Sequence, residues 1–517
     1  MVLARAAAAA LFLCALCALA CAEIRASAVC SAVSQAYREM GFSSWTGPEN
    51  ETAGDYLQVC VQNWTCCSAE MEENFIERSK HEFEKFVDEA TEDLRNTFES
   101  RYKRFDDFFL ELLEKTERSL NEMFVRTYGD LYTQNADVFQ RLFSELKHYY
   151  TGGNVNLDEM ISEFWTRLME RMFQLLNSQY DINDDYMECV NKHMDDLKPF
   201  GDVPKKVTSQ VSRAFVVART FVQGLGFGQG VATNASKVNM SAECVSNVTE
   251  MLYCPYCQGV TATKPCKHYC LQVLQLCLRR QLRMDGDWTR YVDAMLLLIE
   301  RLEGPFNIES VMEPIDVKIS DAIMTMQEKT MELSYEVFRG CGQPKLLEKS
   351  RVSRDVADTF DAGFTTEPAG TNLQKLVADV KGKLSLFKSF WSSLPEFVCQ
   401  DENVAAREDE TNCLDGEELH WNISEVYDEE FIDFPAMVSA LKRAYTGYQS
   451  LDDDSSDEMS GSGSGSGCME SCFSPPPPFI IEKPNTEGSS TSCLHPCNVL
   501  LLLLLVLSIL SSLNQQR

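Results

Sequence analysis

Proline is absent from the long stretch between Pro48 and Pro199. A stretch of that length without a helix breaker indicates long helices. Alternation of apolar and polar residues, which is typical of β-strands, is scarce throughout the chain. One apolar stripe recurs mostly every three or four positions, at Phe83, Phe86, Val87, Ala90, Leu94, Phe98, Tyr102, Phe105, Phe109 and Leu112. The opposite face carries Glu84, Glu92, Arg95, Glu99 and Arg101. The sequence therefore predicts an all-α core.

Two further helices are predicted on either side of a glycine turn. The first covers about 136–149, and the segment TGGNVN at 151–156 ends it. Asn156 is a residue of the type that caps a following helix. The apolar face of that next helix holds Met160, Phe164, Leu168, Met172 and Leu175. We expect these Phe and Met stripes to pack in the core rather than hold a lipid or a cofactor.

Catalytic signatures are also lacking. The chain has no G-x-S-x-G, no H-E-x-x-H and no P-loop, and its six histidines are scattered. The glycine-rich segment GLGFGQG at 224–230 follows a helical stretch and has the wrong spacing for a dinucleotide loop. The residues thus give no reason to predict an enzyme, a metal site or a cofactor.

Positive charge is scarce as well. The chain has 47 Lys and Arg against 78 Asp and Glu, which gives a formal net charge of −31. Such a chain is a poor ligand for nucleic acid or for anionic lipid headgroups. We therefore expect basic partners and no nucleic acid.

The N-terminus reads as a secretory signal peptide. Arg5 precedes an apolar stretch from about Ala6 to Leu19, and Ala20-Cys21-Ala22 supplies small residues for cleavage before Glu23. The alternative is an N-terminal membrane anchor, but the stretch is short for a span.

The C-terminus reads as a glycosylphosphatidylinositol (GPI) anchor signal. Its apolar tail, 499–513, has 15 residues, fewer than the roughly 20 of a spanning helix. Upstream of it lie small residues, a nine-residue spacer and Ser489, which we predict to be the attachment residue; Gly488 and Ser490 are alternatives. A transmembrane helix is the competing interpretation. We predict a signal peptide over 1–22, a helical core over 23–448, a disordered stalk over 449–489 and a propeptide over 490–517.

Sixteen of the 21 cysteines remain after both ends are removed. The densest block, CPYCQGVTATKPCKHYCLQVLQLC, runs from Cys254 to Cys277. In a reducing compartment, its Cys pairs and His268 would suggest zinc, and Cys254-x-x-Cys257 would suggest a redox motif. Outside the cell disulfides persist, so we expect disulfides rather than a metal.

Two kinds of processing signal fit a secreted chain. N-glycosylation sequons begin at Asn50, Asn63, Asn234, Asn239, Asn247 and Asn422. Arg351-x-x-Arg354 suits a secretory convertase that cuts after Arg354, although an ordinary exposed basic loop explains it equally well.

The stalk contains four Ser-Gly dipeptides just after an acidic run. They begin at Ser460, Ser462, Ser464 and Ser466. A Gly/Ser tract is usually a flexible linker. Accessible serines among small and acidic residues also meet the requirements of a xylosyltransferase. We therefore predict glycosaminoglycan attachment at these four serines.

The chain resembles the glypican family of GPI-anchored heparan sulfate proteoglycans over nearly its whole length. The cysteine block carries the most specific match, and one departure is Leu276, where the family usually has Gly. The segments NWTCCSAEMEENF, ELKHYYTGGNVNLDEM and RGCGQPK are also similar to glypican segments. The short stalk and its Ser-Gly repeat look most like one subtype within the family.

The resemblance implies a single elongated helical core with seven disulfides. The implied pairs are Cys30–Cys66, Cys60–Cys254, Cys67–Cys257, Cys189–Cys341, Cys244–Cys277, Cys266–Cys413 and Cys270–Cys399. It also implies a co-receptor on the outer leaflet of the plasma membrane, from which anchor cleavage could shed it. Its heparan sulfate would bind heparin-binding proteins such as fibroblast growth factors, Wnt and Hedgehog ligands. Two other hypotheses stay open: a module whose helical core binds ligands directly, and an extracellular enzyme.

Overall fold

Long helices dominate the part of the chain that the structure describes. The computed structural model describes residues 30–42, 44–347, 372–408, 410, 412–416 and 433–447. All of these residues lie in the first of the two units into which the chain divides, Met1–Asp452. Helices account for most of them, so the predicted all-α core is confirmed.

Seventeen helices and one pair of very short strands are present among the described residues. Helix α1 covers residues 30–39. The first half continues with α2 Ala69–Tyr128, α3 Asp130–Thr133, α4 Asp137–Tyr150, α5 Leu157–Leu176, α6 Asp184–Leu197, α7 Val203–Ala235, α8 Ala242–Leu252 and α9 Cys254–Cys257. The second half has α10 Lys267–Cys277, α11 Arg279–Glu303, α12 Ile308–Met312, α13 Ile315–Glu328, α14 Thr330–Cys341, α15 Asn372–Leu386, α16 Phe390–Cys399 and α17 Phe434–Thr446. Strands β1 Tyr180–Asp181 and β2 Lys345–Leu346 pair antiparallel, with Tyr180 opposite Leu346.

Helix α2 shows what the missing prolines permit. It has 60 residues, which at 1.5 Å per residue makes it about 90 Å long. The Ser68 hydroxyl caps its start by accepting a hydrogen bond from the Met71 N–H at 3.2 Å. Gly129, with φ of 55°, ends it in a conformation that a glycine adopts without strain.

The predicted apolar face of α2 is buried. Phe83, Val87, Leu94, Phe98, Phe105, Phe109 and Leu112 are all inaccessible, and the other three members of the stripe are half-buried. On the predicted polar face, Glu84 and Glu92 are exposed, whereas Arg95, Glu99 and Arg101 are half-buried. The Arg101 side chain is only 16% exposed, because its guanidinium pairs with the Asp379 carboxylate of α15 at 2.9 Å.

The predicted helix pair around residue 151 is present as α4 and α5. Asn156 caps α5, and its side-chain oxygen accepts from the N–H groups of Asp158 and Glu159 at 3.1 and 3.3 Å. Phe164, Leu168 and Met172 are buried as expected. Leu175, by contrast, is 37% exposed, so the apolar stripe of α5 ends one turn earlier than predicted.

Helix α7 lies at the centre of the main core, where it contacts α2, α5, α11, α12, α13 and α17. The glycine-rich segment 224–230 is part of this helix and is not a loop. A Cβ added to Gly228 would lie 2.5 Å from the Tyr291 hydroxyl of α11 and would also collide with the Phe98 ring of α2. The glycine therefore allows three helices to approach closely.

A smaller apolar cluster lies apart from this core. It is formed by segments 30–75 and 253–257, and we call it the cysteine lobe because six of its twelve buried residues are cysteines. Within the described ranges, no helix has both the length and the apolar character needed to cross a bilayer.

Candidate functional site

Several predicted site residues lie outside the described residues. These are the stalk serines Ser460, Ser462, Ser464 and Ser466, the GPI attachment residue Ser489, the convertase residue Arg354 and the sequon residue Asn422. The predicted signal peptide and propeptide lie outside them too. What the structure describes is the helical core that precedes the stalk.

Seven disulfides join the fourteen cysteines of this core. They are Cys30–Cys66, Cys60–Cys254, Cys67–Cys257, Cys189–Cys341, Cys244–Cys277, Cys266–Cys413 and Cys270–Cys399. These are the pairs that the family resemblance implies. Five of them close loops of more than 120 residues, so they connect distant parts of the sequence.

The disulfides decide the chemistry of the CPYC segment. Cys254 and Cys257 bond to Cys60 and Cys67 and not to each other. Their sulfurs are therefore neither zinc-binding thiolates nor the two halves of a redox dithiol. His268 is 60% exposed and lies beside the Asp415 carboxylate, with its Nε2 2.6 Å from Oδ1.

A second group has the residue types of a metal site. The side chains of Cys189, His193 and Cys341 bring their ligand atoms within 4.8 Å of one another. The His193 Nδ1 lies 3.5 Å from the Cys341 sulfur and 2.9 Å from the Cys189 carbonyl oxygen. Because the two sulfurs are bonded to each other, they cannot act as thiolate ligands.

The described sequons differ in accessibility. Asn50, Asn63, Asn234 and Asn239 are exposed, whereas Asn247 is half-buried in α8. The Asn247 side-chain amide donates to the Glu243 carbonyl oxygen at 2.8 Å. Asn63, between Cys60 and Cys66, is exposed despite the two disulfides that flank it.

A buried carboxylate organises the cysteine lobe, and sequence reasoning missed it. Glu72 is only 3% exposed and lies in the first turn of α2. Its carboxylate accepts hydrogen bonds from the N–H groups of Gln58, Val59 and Cys60, at 2.9, 2.7 and 2.8 Å. Nothing in the local spacing of Glu72 signals this role, because its three donors lie 12 to 14 residues earlier in the chain.

Aromatic packing closes the same lobe. The Tyr253 ring stacks on Phe75 with their centroids 5.2 Å apart. Burial, followed by the nearby Glu82 carboxylate, raises the pKa of Tyr253 to about 12, although Arg78 acts in the opposite direction. The phenol is therefore neutral over the physiological range.

An open cavity of about 780 Å³ lies against the cysteine lobe. It is lined by residues of the segments 51–55 and 61–64, together with Cys257 and Gln258. The Thr52 and Thr65 backbones pair in both directions, at 3.0 and 2.8 Å, and hold the two segments side by side. Sequence reasoning assigned this region a sequon at Asn63, the family segment NWTCCSAEMEENF and a disulfide at Cys257, but no cavity.

A smaller cavity of about 280 Å³ lies between the end of α7 and the start of α11. Lys237, Arg279, Arg280 and the sequon residue Asn239 are among the residues that line it. Its lining is basic, whereas the lining of the larger cavity is acidic. Arg279 already approaches the Glu243 carboxylate at 3.9 Å.

Comparison with known proteins places this core in one family. The family model described as Glypican matches residues 10–432. Glypican-1 of Gallus gallus is 37% identical over 465 residues, which cover 85% of this chain and 84% of the relative. That subtype, glypican-1, is the one that the stalk resembles.

Solved structures of related proteins support the same family assignment. A crystal structure of C-terminally truncated glypican-1 aligns with a TM-score of 0.72 and 33% identity, over 81% of this chain and 99% of the other. A structure of Dally-like protein in complex with O-palmitoleoyl serine aligns with a TM-score of 0.64 and 31% identity, over the same 81% and 99%. The chain therefore belongs to the glypican family, the core proteins of cell-surface heparan sulfate proteoglycans.

Proposed function

We propose that this protein is a cell-surface co-receptor that captures and presents heparin-binding growth factors and morphogens through heparan sulfate. The observation that carries the proposal is the combination of a glypican core with four Ser-Gly dipeptides that follow it, at Ser460, Ser462, Ser464 and Ser466. These serines are the chain attachment sites. The ligands are of the fibroblast growth factor, Wnt and Hedgehog classes.

The mechanism is electrostatic capture by a polymer. Sulfates and carboxylates on heparan sulfate bind Lys and Arg patches through charge-assisted hydrogen bonds and counterion release. Many weak sites on one anchored molecule raise the effective concentration of a bound ligand. The GPI anchor at Ser489 confines this activity to the outer leaflet, and anchor cleavage releases the protein.

We also propose how the chain is processed on its way to the cell surface. The signal peptide 1–22 and the propeptide 490–517 are removed, which leaves the core 23–448 and the stalk 449–489. Glycans occupy sequons among Asn50, Asn63, Asn234, Asn239, Asn247 and Asn422. A convertase cuts after Arg354. Intact mass before and after deglycosylation and anchor cleavage checks each of these steps.

The test uses full-length protein displayed on cells. Changing all four Ser-Gly serines to Ala should abolish the smeared, high-mass form of the protein and its capture of a growth factor. The matched control changes four stalk serines that glycine does not follow: Ser455, Ser456, Ser471 and Ser474. Capture that survives the first set of changes, or complete heparan lyase digestion, would mean that the polymer is not the binding element.

Growth-factor capture that persists after the heparan sulfate is removed would favour a second function, direct ligand binding by the helical core. The structural neighbour in complex with O-palmitoleoyl serine supports this candidate, because a related core takes an acylated ligand. Heparan lyase digestion distinguishes the two functions, because it removes the polymer and leaves the core protein unchanged.

A further inference from the structure

The cavity beside the cysteine lobe has the composition of a cation-binding site. Of the ten described residues that line it, Glu51 and Asp55 bring carboxylates, and none is Lys, Arg or His. Gln62 and Asn63 add side-chain amide oxygens. The wall therefore offers hydrogen-bond acceptors and negative charge.

An exposed indole stands among these acceptors. Trp64 lines the cavity and is 65% exposed, and its neighbour Val61 is 57% exposed. The face of a Trp ring attracts an ammonium or guanidinium group, and carboxylates nearby strengthen the attraction. Trp64 with Glu51 and Asp55 is a combination suited to a Lys or Arg side chain.

One acceptor in the wall lacks a partner. The Oε1 atom of Gln62 is buried and has no hydrogen-bond partner among the described residues. A buried polar atom without a partner costs free energy, but this one is covered, so a ligand in the open cavity does not reach it directly. The acceptors available to a ligand are the carboxylates of Glu51 and Asp55, and a guanidinium brings five N–H donors in a fixed fork that can pair with carboxylates.

The cavity is preorganised. Cys60, Cys66 and Cys67 tie the segment to Cys254, Cys30 and Cys257, and the Cys66 N–H donates to the Cys257 carbonyl oxygen at 2.8 Å. The Gly54 N–H donates to the Gln62 carbonyl oxygen at 3.1 Å. A rigid site loses little conformational entropy when a ligand binds.

We propose that this cavity receives a Lys or Arg side chain of a basic partner protein. Charge complementarity identifies the occupant, because both the cavity and the whole chain, at −31, are acidic. The proposal names a contact made by the core itself and does not depend on the heparan sulfate chains. Its failure and that of polymer capture are therefore distinguishable.

The experiment uses the full chain with the four Ser-Gly serines changed to Ala, so that no polymer competes. Asn63→Gln is added, so that no glycan covers the cavity. The probe is a tetra-arginine peptide, and its citrulline counterpart has nearly the same shape without the charge. Affinity is measured by calorimetry and by tryptophan fluorescence.

We expect Trp64→Ala to weaken arginine-peptide binding about threefold to fivefold, which corresponds to one exposed cation–π contact. Trp64→Phe should restore part of the loss, because a phenyl ring keeps an aromatic face. The double change Glu51→Gln and Asp55→Asn should weaken binding at least fivefold. Asp55 and Trp64 are exposed and Glu51 is half-buried, so the unfolding temperature of each variant should stay close to that of the parent.

The control removes the same charge elsewhere. Asp107 and Glu111 are exposed on α2, one helical turn apart, and Asp107→Asn with Glu111→Gln should change the affinity less than twofold. An equal loss in this control would show nonspecific attraction to an acidic surface and overturn the proposal. So would equal binding of the citrulline peptide, absent binding of the arginine peptide, or unchanged binding by the Trp64→Ala variant.

Discussion

Replacing Glu72 by Ala tests whether one buried carboxylate holds the cysteine lobe together. The carboxylate accepts from the three consecutive N–H groups of Gln58, Val59 and Cys60. Cys60 is 1% exposed, so its N–H would lose its partner without gaining water. Gln58 is exposed and Val59 half-buried, so water can reach those two donors.

The loss of stability that we expect for Glu72→Ala follows from these differences in burial. An abandoned buried donor costs about 1–3 kcal/mol, and a hydrogen bond to a charged group contributes about 1.5–3 kcal/mol where water replaces it poorly. We expect Glu72→Ala to lower the local free energy of opening by about 3–5 kcal/mol. Glu72→Gln should lower it less, because the amide keeps one acceptor oxygen.

Hydrogen exchange measures this change amide by amide. The amides of 58–60 should exchange faster by two to four orders of magnitude in the Glu72→Ala protein. Glu73→Ala is the matched control, because Glu73 lies next to Glu72 in the same turn but is exposed. Protection of 58–60 that is equal in the two variants would refute the reasoning.

Three further outcomes are expected. Gly228→Ala should destabilise the core by about 1–3 kcal/mol in urea unfolding, because the added Cβ would collide with Tyr291. The control, Gly230→Ala, has open space around its Cβ and should stabilise the core by about 0.5–1 kcal/mol. Equal effects of the two substitutions would contradict the packing argument. The pKa of Tyr253 lies above its unfolded value of 10.0, so the neutral phenol stabilises the fold fully below pH 10 and this contribution is lost as the pH rises through about 12. Tyr253→Phe should therefore lose less stability than the parent between pH 10 and 12, as followed by circular dichroism, and parallel losses would rule the phenol out. A convertase cut after Arg354 should give two fragments that separate only after reduction, since Cys266–Cys413 and Cys270–Cys399 span that position; fragments that separate without reductant would contradict the pairing.

Local features of the sequence predicted the helices well. The missing prolines, the stripe around Phe98 and the cap at Asn156 act within a few residues, and periodicity reveals such signals directly. Leu175 and Arg101 departed from their predicted faces because neighbouring helices decide which positions are covered. A pattern within one helix does not contain that information.

The glycine segment of α7 shows where local reasoning stops. Its spacing excluded a dinucleotide loop, but its role as a helix surface that admits Phe98 and Tyr291 depends on contacts far away in sequence. The same holds for Glu72, whose partners are backbone groups that carry no sequence signature. The cavity at Trp64 was also invisible, because it exists only where two paired segments meet the CPYC helix.

The acidic core and the proposed heparan sulfate chains carry charge of the same sign, so both would attract the same basic partners. An acidic core and sulfated chains would repel each other. A basic partner is attracted by both. If both proposals hold, the polymer would reach further and capture the partner first, and one Lys or Arg side chain would then meet Trp64 at a much higher effective concentration than in free solution. A weak site in the cysteine lobe would therefore suffice to orient a partner that heparan sulfate has already bound.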